Sequence, residues 1–123
     1  MGTTYTVTYL SALNKGKAHH QQFKATSLKD ARRTAVEYMR MSARMYSIGI
    51  GKDYDNRCFI YTATSISGHI FSIDGNMVWV KWNKEKEDRE FNYVNDNGSL
   101  GDKIPKRSPV VKSIAKLEGW RRV

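Results

Sequence analysis

The sequence predicts an α+β protein, and three observations support this. Residues 4–10, "TYTVTYL", place Tyr5, Val7 and Tyr9 on one side of a strand and threonines on the other. Residues 27–45, "SLKDARRTAVEYMRMSARM", have the apolar spacing of an amphipathic helix. From there onward, short β-rich runs alternate with turn residues, and Asp-Gly at 74–75 is the strongest hairpin signal in the chain.

The N-terminal part is predicted to be a β-hairpin followed by a long helix. "NKGK", residues 14–17, supplies the turn between the first strand and "AHHQQFKA". Thr26 or Ser27 is the expected N-cap, with Asp30 in a capping-box-like position after Ser27. We expect the helix to begin near Leu28 and to end near Met45.

This first helix separates apolar from basic residues. At about 100° per residue, one side collects mainly apolar residues: Leu28, Ala31, Ala35, Tyr38, Met39, Ser42 and Tyr46. The opposite side collects Lys29, Arg33, Arg40 and Arg44. A solvated surface is one interpretation of such a face. We expect opposite charges at i, i+4 to be nearly absent, so the pattern favours a polyanionic partner instead.

The middle of the chain is predicted to be a small antiparallel barrel or sheet of about five short strands. In the strand after Asp74-Gly75, the two tryptophans face opposite sides. We expect Trp82 to be buried, or Trp79 if the register is shifted. The expected aromatic contacts to a ligand are Trp79 and Tyr93.

A short helix is predicted at the C-terminus. Ser108 is its expected N-cap, Pro109 its first residue and Gly119 its end. Its buried stripe should be Val110, Ile114 and Leu117. The expected organisation is a hairpin-helix unit (1–46), a barrel-like unit (47–107) and a basic helix (108–123), together forming one compact domain.

Two stretches resemble known modules. Residues 4–39 resemble the hairpin-plus-helix units of phage-integrase arm-type DNA-binding domains, through Tyr5, Val7, Tyr9, Phe23, Ala25, Ser27, Asp30 and Ala31. Residues 67–104 are similar to SH3-like small β-barrels of the Tudor and KOW kind, through Gly68, Ile70, Ile73, Val78, Val80, Trp82 and Tyr93. The first resemblance implies DNA binding, and the second implies a barrel that binds nucleic acids, peptides or methylated side chains.

The charge of the chain is large and uneven. Its 123 residues carry a net charge of +9. Residues 1–50 have eight basic and two acidic side chains, residues 51–100 have six and eight, and residues 101–123 have seven and two. Both ends are therefore basic, which raises the expectation of a nucleic-acid partner.

The sequence offers little for catalysis. The single cysteine, Cys58, lies in an apolar run, and the adjacent His19 and His20 point to opposite sides of a strand. Residues 49–56 lack P-loop spacing. We therefore expect no enzymatic activity, no cofactor, no metal and no small-molecule substrate. Apolar runs are too short to span a bilayer, and no signal peptide is evident, so we expect a cytoplasmic protein without a membrane partner.

These observations predict a small, basic, non-enzymatic protein that contacts the phosphates of DNA or RNA through two cationic helices. The alternative is a protein-binding inhibitor or adaptor of a nucleic-acid-processing complex, for example a phage-encoded antagonist of the anti-CRISPR type. The predicted binding residues are Lys29, Arg32, Arg33, Arg40, Arg44, Lys106, Arg107, Lys112, Lys116, Arg121 and Arg122.

Overall fold

The computed structural model describes residues 4–14, 17–42, 45–52 and 67–120. The described strands form one antiparallel sheet of seven strands in the order β2-β1-β3-β4-β5-β6-β7. The strands are β1 (Tyr5–Asn14), β2 (Lys17–Ala25), β3 (Ser47–Lys52), β4 (Gly68–Ile73), β5 (Asn76–Asn83), β6 (Asp88–Val94) and β7 (Leu100–Lys103). The helices are α1 (Leu28–Met41) and α2 (Pro109–Glu118).

The α+β class is confirmed, but the finer arrangement differs from the prediction. β1 pairs with β2 on one side and with β3 on the other, so the first two strands share a sheet with the later ones. The described strands make an open sheet with β2 and β7 at its two edges. α1 ends at Met41 rather than near Met45, because Ser42 adopts an extended backbone conformation. The strand expected around Cys58 lies outside the described residues.

The two helices cover opposite faces of this sheet. Along β5, Met77 and Trp79 point to one face, whereas Val78 and Val80 point to the other. We call the two hydrophobic clusters the α1-side core and the α2-side core. The α1-side core is built from Val7, Ala25, Ala31, Ala35, Val36, Met39, Met45, Ile48, Ile50, Ile70, Met77, Trp79 and Val94. The α2-side core is built from Phe71, Ile73, Val78, Val80, Phe91, Ile104, Val111, Ile114 and the partly buried Tyr93, Val110 and Trp120.

Several local signals in the sequence have the expected structural outcome. The Ser27 hydroxyl accepts a hydrogen bond from the Asp30 amide at 3.0 Å and so caps the first turn of α1. Asp74 and Gly75 both have positive φ angles, 49° and 81°, as a two-residue type I′ hairpin turn requires. α2 begins with Ser108 at the N-cap and Pro109 in the first turn, and Gly119 is its C-cap.

The buried stripe of α2 differs from the predicted one. The residues buried against the sheet are Val111, Ile114 and Ala115. Leu117 is 55% exposed, so its predicted burial is wrong. The predicted and the observed stripes both have helical spacing and share Ile114. Relative to the predicted orientation, the helix is rotated about its axis, and Trp120, which follows the helix, packs on Phe71 and Phe91. The outward side of α2 therefore carries Lys112 and Lys116.

Candidate nucleic-acid interface

The outward face of α1 is not a stripe of unpaired cations. Arg33 forms ion pairs with Asp30 at 2.5 Å and with Glu37 at 2.8 Å, one turn to either side. These two hydrogen-bonded carboxylates, Asp30 first, raise the pKa of Arg33 above its ordinary value. The expectation that i, i+4 partners are nearly absent is therefore wrong. Asp30 and Glu37 stand at the spacings that place opposite charges side by side on a helix.

Arg40, the next predicted contact, is paired as well. Its guanidinium lies 2.6 Å from the carboxylate of Asp96, in the turn between β6 and β7. The outward face of α1 and this turn together carry three basic side chains, Lys29, Arg33 and Arg40, and three acidic ones, Asp30, Glu37 and Asp96. This surface is electrically balanced. Arg44 lies outside the described residues.

Arg32 is a structural residue rather than a surface contact. It is 9% exposed, and its Nε–H donates a hydrogen bond to the carbonyl oxygen of Gly98 at 2.7 Å. Its guanidinium also lies 5.6 Å from the ring centroid of Trp79, in cation-π range. Burial lowers the pKa of Arg32, which is the expected direction for a cation removed from water. Its assignment to a nucleic-acid contact is corrected accordingly.

Substitution of Arg32 by Lys tests this structural role. The positive charge is kept, but the hydrogen bond from Nε to Gly98 is lost, so we expect a loss of about 1–3 kcal/mol of folding free energy. Urea unfolding measures that loss. Affinity for nucleic acid should not change, and a fall in affinity without a loss of stability would show that Arg32 contacts the ligand after all.

The basic residues around α2 are in a different electrostatic situation. Lys106 forms an ion pair with Asp88, and Lys103 lies 3.7 Å from Glu90. Across the part of the chain that the structure describes, no acidic side chain forms an ion pair with Arg107, Lys112 or Lys116. All three are exposed. Arg121 and Arg122 follow in the sequence, outside the described residues.

The comparisons with known proteins identify no relative. No family model, no curated protein and no solved structure matches the chain.

An aromatic and cationic stack lies on the α2 side of the sheet. Trp82 on β5 and Arg89 on β6 face each other directly across the strand pair. The Arg89 guanidinium carbon lies 3.9 Å from the ring centroid of Trp120 and 5.9 Å from that of Trp82. Arg89 thus stacks on Trp120, which in turn packs on the α2-side core. Trp82 is half-buried and, as far as the described residues define the two cores, belongs to neither.

The two aromatic residues predicted to contact a ligand have other roles. Trp79 is 2% exposed and lies in the α1-side core, so its assignment to an exposed contact is wrong. The predicted burial of Trp82 is not observed, and the alternative prediction, in which Trp79 takes the core position, is the one that matches the structure. Tyr93 is half-buried and packs against the α2-side core. Of Trp79, Trp82 and Tyr93, Trp82 is therefore the best placed to contact a ligand.

A cavity of about 410 Å³ lies next to Arg89, between β6 and the segment that joins β7 to α2. Its apolar wall is formed by Phe91, Ile104 and Pro105. Its charged rim consists of Lys86, Asp88, Arg89, Glu90, Lys103 and Lys106, four cations and two anions. A hydrogen bond from Asn83, and then the charge of Lys103, lower the pKa of Glu90. The cavity is large enough for a small organic group. Its rim carries more cations than anions, and two of the cations, Lys103 and Lys106, are paired with Glu90 and Asp88.

The described residues show neither a metal-binding cluster nor a membrane-spanning helix. Within residues 4–14, 17–42, 45–52 and 67–120, no group of three or more His, Cys, Asp or Glu side chains is arranged to hold a metal ion. His69 is buried on β4, and burial lowers its pKa to about 3, so it is neutral at physiological pH. Neither α1 nor α2 is long and apolar enough to cross a membrane.

Proposed function

We propose that this protein is a non-enzymatic nucleic-acid-binding protein whose binding surface is centred on α2 and the adjoining β6–β7 region. The observation that carries the proposal is the contrast between the two helices. Of the α1 cations, Arg32 is buried and Arg33 and Arg40 are paired with carboxylates, which leaves Lys29 as the one exposed cation of this helix without an ion pair among the described residues. Around α2, three cations, Arg107, Lys112 and Lys116, are exposed and have no ion-pair partner among the described residues.

This contrast matters because phosphate binding depends on free cations. A lysine that neutralises a phosphate releases a condensed counterion from the nucleic acid, and that release drives association. A cation that already faces a carboxylate must first give up that partner, so its net contribution is smaller. Lys112 and Lys116 stand one helical turn apart on the outward side of α2 and can follow a phosphate backbone.

The paired charges of α1 support a second candidate function. Mixed charges held in defined pairs favour complementary contacts to a protein rather than to a uniform polyanion. Met41, at the end of α1, is 78% exposed, and methionine adapts readily to a partner surface. The second candidate is therefore an inhibitor or adaptor that binds a nucleic-acid-processing complex through α1, in the manner of a phage-encoded anti-CRISPR-type antagonist.

Salt-dependent binding measurements test the main proposal. For the wild-type protein, the logarithm of the association constant should fall linearly with the logarithm of salt concentration, by about 0.9 per duplex phosphate contact and about 0.7 per single-strand contact. In the double variant Lys112→Gln/Lys116→Gln, the magnitude of the slope should decrease by about the amount expected for two phosphate contacts. Fluorescence anisotropy with labelled DNA and RNA oligonucleotides gives the slope.

A matched control separates the two helices. Arg33→Gln/Arg40→Gln removes the same number of charges from α1, where both arginines are paired, and should leave the slope nearly unchanged. If instead only the α1 variant changes the slope, the interface is on α1. If the wild-type protein does not bind nucleic acid, and the α1 variant loses a protein partner that the wild type retains in a pull-down, the inhibitor function replaces the main proposal.

A further inference from the structure

We propose that the nucleic acid bound at the α2 side is single-stranded, and that its bases are held by Trp82, Arg89 and the cavity beside them. This inference rests on the proposed function, because it concerns the same surface. It goes further in naming the strand state of the ligand and the residues that contact its bases. The observations that support it are the stack, the cavity and their position relative to the free cations.

The first observation concerns the three tryptophans. The structural roles of Trp79 and Trp120 are clear, since the first lies in the α1-side core and the second packs on Phe71 and Phe91. Trp82 remains half-buried, with the Arg89 guanidinium carbon 5.9 Å from its ring centroid, well beyond the 3.9 Å separation at Trp120. Its ring is accessible for stacking with a planar group.

A nucleobase is the planar group that fits these surroundings. Unpaired bases stack on aromatic rings and on arginine guanidinium planes, and the contact tolerates any base because each has a π-face. In a duplex the same faces are covered by neighbouring base pairs. An aromatic ring next to an arginine therefore distinguishes a single strand from a duplex, whereas lysines on a helix do not.

The cavity supplies the second observation. Its apolar wall and a volume of about 410 Å³ suit the base and sugar of one nucleotide. On its rim, Lys86 and Arg89 can face a phosphate, whereas Lys103 and Lys106 are paired with Glu90 and Asp88. Arg89 belongs both to the cavity rim and to the stack, so the two features are continuous. The rim also includes Lys106, which directly precedes Arg107 in the segment that leads into α2.

The arrangement suggests a path for the strand. In this path the phosphates contact Lys116 and Lys112 along α2 and then Arg107, which precedes the helix. Beyond Lys106 the strand reaches the cavity and Trp82, where bases turn toward the protein. The rigid sheet beneath, in which Trp82 and Arg89 are a direct cross-strand pair, holds both side chains in place.

The test compares one oligonucleotide sequence of about 16 nucleotides as a single strand and as a duplex, in DNA and RNA forms. We expect the single strand to bind at least tenfold more tightly than the duplex at the same salt concentration. Trp82→Leu should weaken single-strand binding about tenfold, without changing the salt slope, because stacking involves no counterion release. Binding of the duplex should be unaffected by this variant.

The Trp82→Phe variant and a measurement of tryptophan emission distinguish a loss of stacking from a loss of the folded state. The Phe variant retains an aromatic ring and should recover most of the single-strand affinity. Single-strand binding should quench tryptophan emission in the wild type, and this quenching should be much smaller in Trp82→Phe. Thermal melts check that both variants are folded.

The outcomes separate this inference from the proposed function. If the single strand and the duplex bind equally and Trp82→Leu changes neither, while Lys112→Gln/Lys116→Gln still flattens the salt slope, the base-stacking site is wrong and phosphate binding by α2 stands. If neither nucleic acid binds the wild-type protein, the proposed function is wrong and this inference falls with it.

Discussion

Replacement of Trp79 by Ala should lower the free energy of unfolding by about 3–5 kcal/mol. The indole is 2% exposed and lies in the α1-side core, so its removal leaves a cavity that the surrounding side chains can fill only in part. The same substitution removes the ring beneath the Arg32 guanidinium and weakens the support of a buried cation. Urea denaturation followed by circular dichroism measures the effect.

Trp82→Ala is the matched control, because it truncates the same residue type on the same strand. Trp82 is half-buried and outside both described cores, so its loss should cost far less, on the order of 1 kcal/mol. If Trp82→Ala proved more destabilising than Trp79→Ala, Trp82 rather than Trp79 would have to be the buried tryptophan of β5. The predicted core position of Trp82 would then be correct.

Gly98→Ala should also be strongly destabilising, with an expected loss of about 2–4 kcal/mol. Gly98 has a φ of +89° and sits in the turn between β6 and β7, directly against α1. A Cβ atom there would overlap the carbonyl oxygen of Lys29 and lie 2.8 Å from the amide nitrogen of Arg33. These are backbone atoms of a helix and cannot move aside independently.

Gly75→Ala isolates the backbone part of this effect. Gly75 also has a positive φ, +81°, but no atom lies within 4 Å of the position that its Cβ would occupy. We expect it to lose only about 1–2 kcal/mol, the cost of a left-handed conformation for an L-residue. Thermal melting measures the loss of stability in both variants. Equal losses would contradict the close contact between Gly98 and the α1 backbone that the structure shows.

Much of the local structure was predictable because its causes are local. The Ser27 cap, the Asp74-Gly75 turn and the start of α2 at Ser108 and Pro109 each depend on a few consecutive residues. The pairing of Arg33 with Asp30 and Glu37 was equally local, at spacings of three and four residues, and could have been predicted by the same reasoning.

The roles of Arg32, Arg40 and Trp79 were not predictable in this way. Gly98, which accepts the hydrogen bond from Arg32, is 66 residues away in the sequence, and Asp96, which pairs with Arg40, is 56 residues away. Neither contact leaves a periodic signal. Alternation along β5 showed that the two tryptophans point to opposite faces, but both faces are covered in part, so it could not show which indole is enclosed.

The strand order also has a consequence for how the chain folds. Among the described strands, every pair of neighbours in the sheet is consecutive in the sequence except β1 and β3, between which β2 and α1 intervene. Even the closest residues in this pairing, Tyr9 and Ile48, are separated by a long segment, so their contact closes the largest loop among the described strand pairs. Hairpins such as β4–β5 and β5–β6 can form early at low entropic cost. Docking of β1 on β3 joins the N-terminal hairpin to the rest of the sheet and is therefore the entropically most demanding of the described strand pairings.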